Sequence, residues 1–507
     1  MSHIRQEFLH KRDSGNPILL DGSSLRIADL VEAALGNRPV TLDEAAWNRI
    51  RQGRALIETI VDQRIPAYGI NTGVGSQKDF TVTPQKVTEF NRRLLTAHAT
   101  RIPGPTLRPE EVRAAMIIQI NLFASGACGV RPDLVELFLK RLAAGQIPTV
   151  DASGSVGASD LVPLAQLALG ILDNSFPLAA KEALSLMNSN AISLARGALQ
   201  LYELRRLLAA FDVSAAIALE GIRGNLNSIS QAVNQVHARQ GQSAVAARLR
   251  ALLAQSRLWE AGQARFLQDP LSFRCISQVH GVGYSTLQWA WDIWETELNA
   301  VTDNPIVDLT SYQAISHGNM DSTAITLTVD TLGQILAKIS DLSGERIHKL
   351  HWPIFSGLPT GLSDNTGEAI GGVQFLNLGH IASSLIASQK LWASPHLLHG
   401  PSQLSDGVED TASFGLHAVS DLERAIDGGW KIVAVEMIIG TWAIHRRRIP
   451  IEKLGTGIRP VVKAVLPLLP IGREGKQAPF DIGAIVKLLK NGGLIEKVLA
   501  DFDEIVA

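Results

Sequence analysis

Residues 154–165 read Gly-Ser-Val-Gly-Ala-Ser-Asp-Leu-Val-Pro-Leu-Ala. Two glycines, Gly154 and Gly157, predict a tight turn here, because glycine reaches backbone angles that other residues avoid. Ser159 is followed directly by Asp160. Taken alone, the stretch indicates only such a turn, so its meaning depends on the sequence around it.

Long helical segments follow this turn. Stretches rich in Ala, Leu and Ile predict long helices over 192–222, 277–298, 322–346, 367–394 and 415–446. Each exceeds the usual length of about 10–14 residues. Strand patterns are few, and the best of them is the short stretch 305–309. The sequence therefore predicts an all-α fold built on a bundle of long helices.

The first part of the chain carries shorter helices and a loop. Thr41-Leu-Asp-Glu44 matches a capping box and predicts a helix that runs to about Gln63. The stretch 68–75 contains three glycines and predicts a loop. Two further helices are predicted over 84–96 and 109–125.

The C-terminal part predicts a loop over 467–476, followed by a last helix over about 481–505. We therefore divide the chain into three parts. These are an N-terminal region with the loops at 1–190, a central long-helix bundle at 191–470 and a C-terminal helical segment at 471–507.

The composition narrows the classes of partner. The 507 residues are 46% hydrophobic, which allows a large core, and the formal net charge is −2. Without a basic bias, neither nucleic acid nor a membrane surface is an expected partner. Two cysteines and an N-terminus without a signal-peptide apolar region predict a cytoplasmic protein. The uncharged stretch 369–389 is too polar for a membrane span and predicts a helix buried within the bundle.

Residues 154–165 closely resemble the signature Gly-Ser-Val-Gly-Ala-Ser-Gly-Asp-Leu-x-Pro-Leu-Ala of the aromatic amino acid lyases. These are the histidine and phenylalanine ammonia-lyases. The resemblance implies an ammonia-lyase-like bundle of long helices, with a smaller N-terminal region that holds active-site loops. It also implies a homotetramer whose active sites combine residues from more than one subunit.

In that family an Ala-Ser-Gly triplet cyclises to an electrophilic cofactor, methylidene-imidazolone. Here the glycine is missing, and the degenerate triplet is Ala158, Ser159 and Asp160. Because the third residue's backbone nitrogen must attack the first residue's carbonyl, the loss argues against cyclisation. We expect no methylidene-imidazolone. The triplet 152–154 is itself Ala-Ser-Gly and remains the alternative source of the electrophile.

The stretch 68–75 reads Tyr-Gly-Ile-Asn-Thr-Gly-Val-Gly and is similar to the family's Tyr-Gly-Ile-Asn-Thr-Gly-Phe-Gly. The resemblance implies that Tyr68 is the general base, and we place Asn71 of the same motif at the substrate. A tyrosine with a free pKa of about 10 accepts a carbon-bound proton only if its anion is stabilised. The alternative for Tyr68 is a hydroxyl that caps the loop.

Two further matches concern the substrate. His98 aligns with the histidine of a Ser-His pair by which histidine ammonia-lyases recognise imidazole, although Ala97 replaces the serine. This implies a polar five-membered ring as substrate. Asn188 matches the asparagine of the family stretch Lys-Glu-Gly-Leu-x-Leu-x-Asn-Gly-Thr, and it is expected to hold polar groups of the substrate.

Residues 268–275 read Gln-Asp-Pro-Leu-Ser-Phe-Arg-Cys and resemble the family's Gln-Asp-x-Tyr-Ser-Leu-Arg-Cys. We expect Gln268 and Arg274 to bind substrate, since a guanidinium fork suits an amino-acid carboxylate. The alternative for Arg274 is a structural ion pair. Leu271 replaces the family tyrosine that helps to position the electrophile and the leaving amine.

Glu409 matches the glutamate of the family's Gln-Glu-Asp-His and is the second expected catalytic residue, with a solvated surface acid as the alternative. His380 is expected to bind substrate, and Lys390 on the same helix is a further supporting candidate. Residues 317–321 read His-Gly-Asn-Met-Asp where the family has Gly-Gly-Asn-Phe-His. No histidine pair has partners at zinc-like spacing, so no metal is expected.

The resemblance predicts a carbon–nitrogen lyase that keeps its base and its substrate contacts but not its electrophile. The electrophile activates a primary amine, which is otherwise a poor leaving group, whereas a quaternary trimethylammonium leaves unaided. The sequence thus resembles the ergothionases of this superfamily, which convert ergothioneine to thiourocanate and trimethylamine. Histidine betaine is an equally suitable substrate, and a histidine ammonia-lyase that releases ammonia and urocanate is the alternative. A catalytically inactive structural or regulatory subunit is a third possibility.

Overall fold

The computed structural model describes residues 16–36, 38–173, 175–237, 239–363, 373–400, 403–470 and 479–506. Helices dominate these residues, and the strands found among them have three residues each. The helices are α1 (Ile27–Gly36), α2 (Glu44–Asp62), α3 (Val87–His98), α4 (Pro109–Ala124), α5 (Pro132–Ala143), α6 (Leu161–Ile171), α7 (Glu182–Met187), α8 (Ala191–Ile222), α9 (Gln231–Gln235), α10 (Gln240–Leu252), α11 (Leu271–Arg274), α12 (Ile276–Glu297), α13 (Thr323–His351), α14 (Pro353–Ser356), α15 (Val373–Trp392), α16 (Gly415–Arg446), α17 (Arg459–Val465), α18 (Ile482–Asn491) and α19 (Leu494–Val506).

The strands form two small two-stranded sheets. Strands β1 (Ile18–Leu20) and β2 (Val40–Leu42) pair in parallel, with Ile18 opposite Val40. Strands β3 (Ile306–Asp308) and β4 (Gln313–Ile315) pair antiparallel, with Val307 opposite Ala314. The predicted strand 305–309 is therefore one half of a hairpin.

Five long helices form the central bundle. Helix α16 packs along both α8 and α13, α12 packs against α13, and α15 packs against α13 and α16. Close approach is possible where α8 carries Gly197, because a Cβ there would lie 1.8 Å from the ring of the buried Trp294 on α12. The predicted all-α fold is confirmed.

Most predicted helix ends agree with the structure to within one or two residues. Helix α13 runs on to His351, beyond the predicted end at residue 346, because Ile347 and Leu350 continue its buried face. The predicted helix 367–394 is present from Val373, and its first six residues lie outside the described part of the chain.

Two predictions about helix ends were wrong. Asp43, and not Thr41, caps α2, since its carboxylate accepts the Ala46 N–H at 2.6 Å while Thr41 lies in β2. The predicted last helix is two helices, α18 and α19, separated at Gly492 and Gly493. Gly493 has φ +66°, a left-handed conformation that ends a helix.

The C-terminal helices contact the bundle, with α18 against α16 and α19 against α8. In the described residues, no helix combines the length and the apolar character that a membrane crossing needs.

Candidate active site

The turn at 155–160 lies where several helices begin. The Gly157 carbonyl accepts the hydroxyls of Ser322 at 2.9 Å and Ser413 at 3.0 Å. Gly157 itself has φ +95°, which suits a glycine. The turn is thereby held at the N-terminal ends of four helices, which begin at Leu161, Ala191, Thr323 and Gly415.

Asp160 closes the turn and is fully buried. Its carboxylate accepts the backbone N–H and the hydroxyl of Ser193, each at 2.8 Å, in the first turn of α8. Burial raises the pKa of the Asp160 carboxyl, and the hydrogen bonds from Ser193 act against that rise. Asp160 therefore ties the turn to a helix N-terminus, where a carboxylate interacts favourably with the helix dipole.

These contacts bear on whether a ring can form at 158–160. Cyclisation needs the Asp160 backbone nitrogen to attack the Ala158 carbonyl carbon. That N–H instead donates to the Ser189 carbonyl at 2.7 Å, and the Asp160 side chain is held as described. The residues present do not fit a ring-forming triplet, because cyclisation would have to break this buried arrangement.

A cavity of about 600 Å³ opens beside the turn. Apolar, hydroxyl and amide side chains make up most of its wall. It is lined by Tyr68, Val74, Gly75, Ser76, Gln77, Leu94, His98, Ala158, Leu161, Leu184, Met187, Asn188, Asn304, Ser316, His317, Met320, Ser405, Val408 and Glu409.

Tyr68 lies at the start of its loop and is half-buried. The loop folds back, so that the Gly75 N–H donates to the Tyr68 hydroxyl oxygen at 3.1 Å. An amide donor in this position stabilises negative charge on that oxygen, which is what a tyrosine base requires.

His98 and Glu409 face the same cavity from different parts of the chain. The Nδ1 of His98 lies 2.8 Å from the Leu94 carbonyl oxygen, and a carbonyl only accepts, so Nδ1 carries the hydrogen. This leaves Nε2 for a ligand. The Glu409 carboxylate accepts the hydroxyl of Ser405 at 2.9 Å, which fixes one of its oxygens.

The described lining of the cavity carries formal charge of one sign only. Among the described residues of its lining, Glu409 is the sole aspartate, glutamate, lysine or arginine. His317 lines the wall but is engaged at both ring nitrogens, since Nε2 lies 2.9 Å from the Asp303 carbonyl oxygen and Nδ1 accepts the Asn319 N–H at 3.0 Å. The cavity is therefore suited to a cation.

Other predicted site residues lie outside this lining. Asn71 binds its own loop, accepting the Ala67 N–H at 2.9 Å and donating to the Ile65 carbonyl at 2.7 Å. His380 and Lys390 are exposed on α15, and Lys390 pairs with Asp341 at 3.0 Å.

Arg274 is the last residue of α11, and it contacts Gln268, which precedes that helix. With the amide oriented by its hydrogen bonds, the Gln268 oxygen accepts both terminal nitrogens of Arg274 at 3.0 and 3.1 Å. The Arg274 Nε donates to the Asp269 carbonyl at 2.7 Å. Neither residue lines the Tyr68 cavity of the same chain.

The structure adds residues that the sequence did not single out. Ser405 has φ +53° and orients Glu409, and no motif marks it. Asn304, which accepts an Asn188 N–H at its carbonyl, belongs to the stretch Asn299–Pro305.

The Ala-Ser-Gly triplet at 152–154 lies elsewhere. Ala152 and Ser153 line a second cavity of about 610 Å³, together with His396 and Arg108. They are absent from the lining that contains Tyr68. In the part of the chain that the structure describes, no group of three His, Cys, Asp or Glu side chains is arranged to hold a metal.

The sequence profile of one family, described as aromatic amino acid lyase, matches residues 25–175 and 173–466. The chain belongs to the aromatic amino acid lyase family. It is 31% identical to the histidine ammonia-lyase of Stigmatella aurantiaca, over 94% of this chain and 97% of that enzyme. The histidine ammonia-lyase of Myxococcus xanthus is also 31% identical, over 95% and 98% of the two chains.

Solved structures of aromatic amino acid lyases share the fold. Ergothionase from Treponema denticola, solved with desmethyl-ergothioneine sulfonic acid, superposes with a TM-score of 0.87 at 25% identity, over 94% of this chain and 99% of that one. Histidine ammonia-lyase from Trypanosoma cruzi gives a TM-score of 0.85 at 28% identity, over 96% of each chain. The predicted family and its long-helix bundle are confirmed, and a carbon–nitrogen lyase follows from them.

Proposed function

We propose that this lyase is of the ergothionase type and eliminates trimethylamine from ergothioneine to give thiourocanate, without a methylidene-imidazolone. The observation that carries the proposal is the cavity in which Glu409 is the sole formally charged side chain among the described lining residues. A carboxylate in a partly enclosed site attracts a quaternary ammonium ion, since Coulomb attraction is stronger there than in bulk water.

The reaction is a 1,2-elimination. The base removes a proton from the β-carbon, the C–H electron pair becomes the Cα–Cβ double bond, and the Cα–N bond breaks. The nitrogen keeps the electron pair of the Cα–N bond and leaves as neutral trimethylamine. A quaternary nitrogen has no lone pair with which to attack an electrophile. The reaction does not need the electrophile, because the nitrogen leaves as a neutral amine.

The residues of the cavity match these steps. Tyr68 takes the β-proton, and the Gly75 N–H stabilises the phenolate that does so. His98 offers Nε2 to the ring of the substrate. Arg274 of another subunit binds the carboxylate, as the family resemblance implies; within one chain Arg274 lies outside the cavity lining.

The missing glycine after Ser159 and the hydrogen bonds that hold Asp160 support the absence of the electrophile. So does the similarity to the solved structure of ergothionase, an ergothioneine-degrading enzyme. The second candidate is a histidine ammonia-lyase that releases ammonia, and the 31% identity to enzymes of that name favours it.

The test is to incubate the purified enzyme separately with ergothioneine, histidine betaine and histidine, and to assay trimethylamine and ammonia. We expect trimethylamine from ergothioneine and no ammonia from histidine. Trimethylamine from histidine betaine alone would name the other betaine as substrate. Ammonia from histidine would overturn the proposal in favour of the second candidate.

A further inference from the structure

Ser159 stands where the family's precursor serine loses its hydroxyl, and here that hydroxyl has a partner. It donates to the Asn188 side-chain oxygen at 2.6 Å, and Ser159 is 1% exposed. Asn188 belongs to the wall of the Tyr68 cavity. The Ser159 hydroxyl therefore contacts an amide of the cavity wall.

The direction of this hydrogen bond is fixed by its neighbours. The Asn188 Nδ2 lies 3.0 Å from the Asn304 carbonyl oxygen, which only accepts, so Nδ2 must face it. The Asn188 oxygen then faces Ser159, and the Ser159 hydroxyl must donate. With both ends held, Asn188 keeps one N–H and one lone pair for a ligand.

The backbone at Ser159 supports a role for its side chain. Ser159 has φ +66°, a left-handed conformation that costs every residue with a Cβ but not glycine. A residue retained in this conformation is a reason to ask what its side chain does. The contact with Asn188 is the direct answer here.

We propose that Ser159 is a positioning residue, whose intact hydroxyl orients the Asn188 amide toward the substrate. This inference rests on the proposed function, because Ser159 keeps a hydroxyl only if no methylidene-imidazolone forms from it. Ser159 acts through Asn188 and does not itself take part in the elimination.

The test uses Ser159→Gly, which removes the hydroxyl and suits the left-handed backbone. We expect a roughly ten-fold loss of kcat/KM for the betaine substrate, the size that one hydrogen bond allows, with no loss of thermal stability. Ser159→Ala should give a similar loss of activity. In an Asn188→Ala background, Ser159→Gly should cause no further loss, because the partner is already gone.

Ser189→Ala is the matched control. Ser189 follows Asn188 in the chain and has a buried hydroxyl, which the variant removes. That hydroxyl donates to the Gln119 side-chain oxygen at 2.9 Å and does not contact Asn188. We expect its kcat/KM to stay within about two-fold of the wild type. Unchanged kcat/KM in Ser159→Gly, or a loss that adds fully to that of Asn188→Ala, would overturn the positioning role.

Intact-protein mass separates this failure from failure of the proposed function. A wild-type chain lighter by two waters contains the electrophile, which overturns both proposals. A wild-type chain of full mass that yields trimethylamine, combined with an unaffected Ser159→Gly variant, overturns the positioning role alone. Near-complete loss of activity in both Ser159 variants would likewise contradict positioning, because that is the behaviour of an electrophile precursor.

Discussion

At the scale of single residues, Glu409 sets the formal charge of the described cavity lining. No lysine or arginine accompanies it among the described lining residues of the chain, and Ser405 holds one of its oxygens. A cationic substrate therefore meets one fixed negative charge. His98 and Asn188 add hydrogen-bonding groups, which suit a ring and polar substituents.

We predict that Glu409→Gln lowers kcat/KM for the betaine substrate by about ten- to a hundred-fold, mainly through KM, because an interaction with a charged group is lost. Steady-state kinetics on the betaine measure this. Asp410→Asn is the control, since Asp410 is exposed next to Glu409 and lies outside the lining. If both variants keep wild-type KM, Glu409 does not bind the cation.

At the scale of helices and turns, the sequence predicted what depends on local pattern. The ends of α8, α12 and α16 followed from stretches rich in Ala, Leu and Ile. The cap of α2 did not, because Thr41 and Asp43 are both acceptable caps and the pairing of β2 decides between them. Likewise, the motifs gave Tyr68 and Glu409, but no local pattern shows that residues far apart in the chain share one cavity.

A buried histidine joins two long helices and a short turn. His396, in the short turn His396–Leu398, bonds Asp330 on α13 through Nδ1 at 2.8 Å and Asp421 on α16 through Nε2 at 3.2 Å. Although burial lowers the pKa of His396, the hydrogen bonds to the two carboxylates outweigh it and raise that pKa from 6.5 to about 9.

The sign of the pH effect follows from this raised pKa. The protonated ring stabilises the fold fully below pH 6.5, and that contribution is lost as the pH rises through about 9. We predict that His396→Gln lowers the Tm at pH 6.5 and that the difference from wild type shrinks above pH 9. Thermal unfolding at both pH values measures it, with the exposed His399→Gln as control. A Tm difference independent of pH would contradict a protonated His396 between Asp330 and Asp421.

At the scale of the whole molecule, the expected site residues of one chain lie in two separate places. Tyr68, His98 and Glu409 line one cavity, whereas Gln268 and Arg274 form a pair at α11, outside that lining. The sequence predicted these residues by type but not by place, since a motif match carries no information about which subunit supplies a side chain. We propose that the active site is shared between subunits, which would bring the two groups together.

This arrangement predicts complementation between inactive chains. Tyr68→Phe lacks the base and Arg274→Ala lacks the carboxylate ligand, so each homo-oligomer should be inactive. When the two are co-expressed, a site that takes Tyr68 from one chain and Arg274 from another is intact in about a quarter of cases. Trimethylamine release should recover to that level.

Tyr68→Phe with Glu409→Gln is the control pair, because both residues line one cavity of one chain and mixing cannot separate the defects. Absence of recovery in the first pair, with oligomers verified as mixed, would place Arg274 outside the active site.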